Sequence, residues 1–166
     1  LLANYSMHYF GAEPISADYY GDFARIVSQR LAAGDDSFIA MMSHGTSGDQ
    51  QWQDYANPPK PIARLQYATA VAEAALRAYQ RIPFHESVPL AMAERRLIIR
   101  LEQPDAEAQA WADKTMAAMN GREPQTRPEV YAREIVLLRE MHEAERKLQV
   151  IRIGDLGIAA LPAEVY

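Results

Sequence analysis

Short runs of strand-forming residues alternate with stretches of helical period along this whole chain, and that alternation constrains its fold more than any other feature. Residues 5–10 (YSMHYF) are rich in Tyr and Phe and predict a strand. Ser16 precedes a helical pattern in which Tyr20, Phe23, Val27 and Leu31 recur, and Gly34 closes it. Ser37–Met42 (SFIAMM) predicts a short buried strand that feeds a polar, Gly-rich loop from Ser43 to Gln53. Asn57-Pro58-Pro59-Lys60-Pro61 cannot be regular structure and predicts a stiff spacer. Residues 62–80 are Ala-rich and helical, with Ile62, Leu65, Ala72, Leu76 and Tyr79 on one side.

The second half repeats the alternation. Val88–Leu101 predicts a long strand. Pro104 and Asp105 open a helix carrying a Trp111, Met116 and Met119 core stripe, and Asn120-Gly121 end it. Thr126-Arg127-Pro128-Glu129 is a capping-box pattern, starting a helix with Val130, Leu137, Leu138 and Met141 inward. Two last strands, Leu148–Ile153 and Leu156–Leu161, flank Gly154-Asp155, a dipeptide suited to a tight hairpin. The expected class is α/β, a mixed β-sheet covered by helices.

Composition narrows function further. At 166 residues the chain is the size of one domain, able to bury a core without staples. It has no Cys, which excludes disulfides, zinc fingers, Fe–S clusters and a thiol nucleophile. A net charge of −5 argues against nucleic acid as a partner. No window holds the run of roughly 18 apolar residues that a membrane span needs. The chain opens on Leu1-Leu2-Ala3 without Met and stops at Tyr166 straight after an apolar run. Both ends are therefore expected to cut through structure, leaving residues 1–166 as a single partial domain with any targeting signal outside it.

Candidate chemistry concentrates in the loop Ser43-His44-Gly45-Thr46-Ser47-Gly48-Asp49-Gln50-Gln51-Trp52. Loops at the carboxyl ends of buried strands are where α/β proteins place their sites. The loop lacks the Lys and Gly spacing of a P-loop. Gly45-Thr46-Ser47-Gly48-Asp49 is not a nucleophile elbow, having Asp where the second Gly belongs. The competing reading is a turn-rich connector braced by Asp and Ser side chains. His8 lies in the aromatic strand, where a hydrogen-bonded core residue is the commoner role. Glu164 ends an apolar run and must reach water or a partner. His85 and His142 read as structural, and Arg95 and Arg96 as solvated edge charges.

Four segments in order resemble the catalytic domain of the neutral/alkaline non-lysosomal ceramidase family, in particular its bacterial ceramidase-like members. Asn4-Tyr5-Ser6-Met7-His8 is similar to the family strand that ends in a zinc-binding His. Ile15-Ser16-Ala17-Asp18-Tyr19-Tyr20-Gly21 resembles its I-x-x-D-x-x-G helix entry. Gly48-Asp49-Gln50-Gln51 aligns with its G-D-V-S-P-N loop, and the run from Arg152 to Glu164 with its R-I-G-x-L…P-x-E segment. The match runs from Leu1 to Tyr166, as part of a larger ceramidase-like domain.

The resemblance implies a zinc-dependent hydrolase that cleaves an amide (N-acyl) or related bond with metal-activated water. It makes His8 and Glu164 metal ligands, the remaining His and Tyr ligands falling outside this chain. It places Ser47 and Gly48 against the substrate, and Asp49 and Gln51 in the catalytic loop, with Asp49 bracing rather than taking protons. The substrate class is a small-molecule or lipid-like amide, and the location secreted, periplasmic or cell-surface. One position departs: the family's essential Ser falls on Gln51, which cannot form an alkoxide but can donate a hydrogen bond to an oxyanion. The departure argues against ceramide itself. It also leaves open a non-catalytic ceramidase-like binding module for a lipid or glycan.

Overall fold

The computed structural model describes residues 1–11, 14–58 and 60–166. Of the expected stiff spacer, Pro59 lies outside the described residues. The described residues form an α/β structure, with five strands divided between a parallel two-stranded sheet and an antiparallel three-stranded sheet. The chain divides into two compact units, Leu1–Val88 with Ala163–Tyr166, and Pro89–Pro162.

In the first unit, β1 (Leu2–Tyr5) and β2 (Met41–His44) run parallel, in register from Leu2 opposite Met41 to Tyr5 opposite His44. Parallel neighbours need a crossover, and α1 (Asp18–Leu31) supplies it. Its apolar residues recur every three or four positions, so Tyr19, Phe23 and Val27 share one face and are fully buried. Against them lies α2 (Arg64–Tyr79), which presents Ala68 and Ala72 one turn apart. Methyl-sized side chains let the helices approach closely. Burying Phe23 and Val27 contributes roughly 1.5–3 kcal/mol each.

Two boundaries in the first unit differ from expectation, and in the second unit the strand expected at Leu148–Ile153 begins at Glu143, where it already pairs with Arg100. The first strand lies at Leu2–Tyr5, and residues 6–10 are irregular. Their polar groups are claimed by side chains and a loop: the Met7 carbonyl accepts from two tyrosine hydroxyls, and the His8 amide donates to Gln50. The second strand starts at Met41, not Ser37, because the Asp35 carboxylate accepts from both the amide and the hydroxyl of Ser37 and folds residues 35–38 into a turn. On α2 the inward residues are Ala68 and Ala72, while Leu65 is exposed. Ala72 and Leu76 of the expected face do lie against the core, and Ala68 joins them in place of Leu65.

In the second unit, β3 (Leu90–Arg100) pairs antiparallel with β4 (Glu143–Ile153), from Leu90 opposite Ile153 to Arg100 opposite Glu143. Gly154-Asp155 turns the chain into β5 (Leu156–Ala160), on the other side of β4. Edge strand β3 is exposed along its whole length and is charged in the middle. Arg96 pairs with Glu145 at 2.7 Å, and Glu94 with Lys147 at 3.5 Å.

Between β3 and β4 stands a helical hairpin, α3 (Ala106–Met119) and α4 (Arg127–Glu140). Its ends follow the capping signals. The Asp105 carboxylate accepts from the Ala108 amide, and Asn120 takes the left-handed conformation that ends α3. Thr126 and Glu129 form the reciprocal capping box. Ala112, Met119 and Ala132 are buried, whereas Trp111, Leu137 and Met141 are substantially exposed. A two-helix hairpin has one narrow seam, and the small residues occupy it.

Candidate functional site

The site lies at the carboxyl ends of the two parallel strands, in the first unit. Here the chain passes from ladder to loop through close backbone contacts. Gly45 continues the pairing by donating to the Tyr5 carbonyl at 3.0 Å. A Cβ on Gly45 would run into the Ser6 hydroxyl, so the approach requires glycine. Asn4 donates to Ser43 at 2.9 Å, tying the strand ends together.

His8 sits just past β1 and is held from three directions. Its amide donates to the Gln50 carbonyl at 2.9 Å. The carbonyl of the preceding Met7 accepts from Tyr19 at 3.0 Å and Tyr20 at 3.2 Å, both from the first turn of α1. Two residues on, the Phe10 amide donates to Asp18 at 3.1 Å. Asp18 has φ of 48°, which turns its carboxylate back to accept from the Tyr19 amide as well. A Cβ on Gly21 would lie 2.8 Å from the Ala17 methyl. The Ile15–Gly21 segment thus works as a clamp on the His8 loop. That role of Asp18, Tyr19 and Tyr20 escaped the sequence reading, although the Ser-x-Asp spacing before the helix was visible.

Burial makes these tyrosines poor acids. It pushes the Tyr19 hydroxyl well above its ordinary range, with the Tyr20 hydroxyl adding to the effect. Tyr67 is raised by burial and by its hydroxyl contact with Tyr5, at 2.8 Å. They serve as hydrogen-bond donors, not as bases.

Glu164 arrives from the other end of the chain. Its neighbour Val165 presents one carbonyl to two successive amides, Ser47 at 2.9 Å and Gly48 at 3.1 Å. The ring of Tyr166 lies over Gly48. So docked, Glu164 brings Oε1 to 3.3 Å from His8 Nδ1. That nitrogen is buried and, among the described residues, has no hydrogen-bond partner.

A nitrogen and a carboxylate oxygen, each about 2 Å from one tetrahedral zinc, lie about 3.3 Å apart. A buried imidazole nitrogen without a hydrogen bond, facing a carboxylate at that separation, fits two ligands of such an ion. Among the described residues no group of three or more His, Cys, Asp or Glu side chains converges.

The remaining expected site residues lie on the loop that contacts His8 and Val165. Ser47 is buried and forms a turn, its carbonyl accepting from the Gln50 amide at 3.1 Å. Gly48 is covered by Tyr166. Asp49 is exposed and accepts from the side chain of Gln50 at 3.0 Å, and Gln51 is exposed beside it. His44 lies edge-on to Tyr20. An apolar cavity of about 760 Å³ opens along β1 and α2, lined by Leu2, Phe23, Tyr67, Val71 and Phe84 among others. Neither His8 nor Glu164 lines it, so this cavity and the metal-type donors are different places. Among the described residues no helix is long and apolar enough to cross a membrane. No family model, curated protein or solved structure matches the chain.

Proposed function

We infer that this chain belongs to a zinc-dependent, ceramidase-like hydrolase acting on an amide (N-acyl) or related bond of a small-molecule or lipid-like substrate. One observation carries the reading: the buried, hydrogen-bond-free Nδ1 of His8 faces Glu164 at 3.3 Å. His8 and Glu164 would hold the metal. Zinc in such a site polarises a carbonyl and lowers the pKa of water toward neutrality.

The chain's own residues supply the rest. His8 would ligate through a neutral Nδ1, and the hydrogen bonds at its amide and at the Met7 carbonyl hold the backbone that carries the ring. Gln51 is exposed on the adjoining loop and carries an amide able to donate to a developing oxyanion. Gln51 has no ionisable hydroxyl, so it stabilises charge rather than attacking. Asp49 holds the neighbouring Gln50 side chain.

Gln51 also favours a second reading, in which the site binds a lipid or glycan without turnover. Metal analysis of the full-length protein, which would carry the remaining ligands, followed by a panel of N-acyl amides and esters, tests both. Zinc on the wild type, lost in His8→Ala, with product formed only by the wild type, supports the hydrolase. Zinc without turnover supports the binding module. A folded, metal-free wild type overturns both.

A further inference from the structure

We propose that the outer edge of β3 pairs with β3 of a second copy of this chain, antiparallel about a twofold axis at Arg95, and so joins two three-stranded sheets into one. The proposal concerns the second unit and does not depend on the zinc reading.

The argument starts from the backbone groups that β3 already uses. Its 11 residues pair with β4 on one side only, and β3 ends the strand order of its sheet. Pro89, just before the strand, accepts from the Gly154 amide, and Leu101, just after it, donates to His142. Odd-numbered residues therefore point their amides and carbonyls toward β4, since the antiparallel ladder alternates. Those of Leu90, Met92, Glu94, Arg96, Ile98 and Arg100 point outward, and among the described residues nothing pairs with them. An edge of this length is a template for another strand.

The charge order selects a second β3 and its register. To exchange hydrogen bonds, even-numbered residues must oppose even-numbered ones. Centring the pair on Glu94 sets two carboxylates against each other, and centring it on Arg96 sets two guanidinium groups. Centring it on Arg95 sets Glu94 against the second copy's Arg96, twice by symmetry. Within each sheet Glu94 already lies 3.5 Å from Lys147, and Arg96 lies 2.7 Å from Glu145. Across the axis the row then runs Lys147, Glu94, Arg96, Glu145, alternating in sign throughout. The same register lays Met92 on the second copy's Ile98. These side chains are 60% and 61% exposed, so the contact takes apolar surface out of water. On the other face Ala91 and Ala93 meet Ile99 and Leu97, small against large. One pair is unfavourable, because the Arg95 side chains meet at the axis. A twofold contact uses the same patch on both copies, so the product is a closed dimer. The competing role of these charges is to keep other strands off the edge, which predicts a monomer.

The test measures the solution mass of the full-length protein by sedimentation over a concentration series, with circular dichroism to confirm folding. Glu94→Arg and Arg96→Glu are made separately and then mixed. Each variant alone sets like charges against each other at both symmetric pairs, and its self-association should weaken about tenfold or more. In the mixture every such pair is again opposite in sign, and a dimer containing one copy of each variant should form. Arg95→Ser removes the clash at the axis and should tighten the wild-type dimer about two- to fivefold. A wild type that stays monomeric across the series overturns the proposal. A dimer that persists unchanged in Glu94→Arg, or two folded variants that fail to associate when mixed, also overturns it. If the charge variants do not fold, Arg95→Ser decides: tighter association supports the proposal, and unchanged or weaker association overturns it.

Discussion

His8 Nδ1 lies 3.3 Å from Glu164 Oε1, although the two residues come from opposite ends of the chain. An imidazole and a carboxylate so placed would ordinarily align into a hydrogen bond, yet the nitrogen is buried and makes none. Zinc should therefore stabilise the folded chain. A ligand at a hundred times its dissociation constant contributes about 2.7 kcal/mol. For a chain of this size that is a rise of roughly 5–10 °C in Tm. Neither His8→Ala nor Glu164→Gln should show the rise. A rise that persists in both variants places the metal elsewhere.

The Met7 carbonyl offers a sharper test of how the His8 loop is held. Tyr19 and Tyr20 both donate to it, in a residue that is 2% exposed. Removing one hydroxyl leaves the other, so Tyr19→Phe or Tyr20→Phe alone should cost about 0.5–1 kcal/mol. Removing both leaves a buried carbonyl unsatisfied. The double variant should therefore lose about 1 kcal/mol more than the sum of the singles in urea unfolding. Simple additivity would mean that the carbonyl finds water.

Most of the regular structure was legible from local rules. Helices α3 and α4 begin and end where Asp105, Asn120, Thr126 and Glu129 signal, because capping is a contact between neighbours in sequence. The Gly154-Asp155 hairpin was legible for the same reason. Residues 6–10 were misread as strand because aromatic composition stood in for pairing, and their partners lie on α1 and on the loop at Gln50. The pairing of His8 with Glu164 had no local signal at all. It depends on Val165 docking against Ser47 and Gly48, a long-range event that no local rule signals.

Asp18 is a single residue on which two backbone groups depend. Its carboxylate accepts from the Phe10 and Tyr19 amides, and its φ of 48° suits Asp or Asn better than other side chains. Asp18→Ala loses a charged acceptor for both amides and keeps a strained backbone, which should cost about 3 kcal/mol. Asp18→Asn retains an acceptor oxygen and the conformational tolerance, and should cost about 1 kcal/mol. Equal losses in the two variants would show that charge, not acceptor geometry, holds the loop.

Alkali should unfold the first unit through its buried tyrosines. Burial raises the Tyr19 pKa far above its ordinary value of 10.0. A raised folded pKa means that the stabilisation is complete below pH 10 and falls as the pH rises beyond it, since the unfolded chain ionises first. The expected slope for Tyr19 is about 1.4 kcal/mol per pH unit. Phenolate absorbance should appear together with unfolding, and Tyr19→Phe should flatten the slope. Ionisation of all tyrosines before unfolding would count against the burial described for Tyr19.

Acid should act on the second unit through Glu129, with the opposite sign. Hydrogen bonds from Arg122 foremost, then from the Gln125 and Thr126 amides, hold its carboxyl at about 2, below the ordinary 4.5. A depressed pKa gives stabilisation that is complete above pH 4.5 and is lost as the pH falls toward 2, because the unfolded chain takes up its proton first. The helical signal of the hairpin should weaken over that window. Arg122→Ala should move the loss to higher pH, since the main cause of the depression is gone. Thr126→Ala, which removes the other half of the capping box, should cost about 1 kcal/mol at neutral pH. It should leave the acid window nearly in place, because Glu129 keeps Arg122 and the Gln125 amide. An acid transition that shifts as far in Thr126→Ala as in Arg122→Ala would mean that the cap, not the ion pair, sets the Glu129 titration.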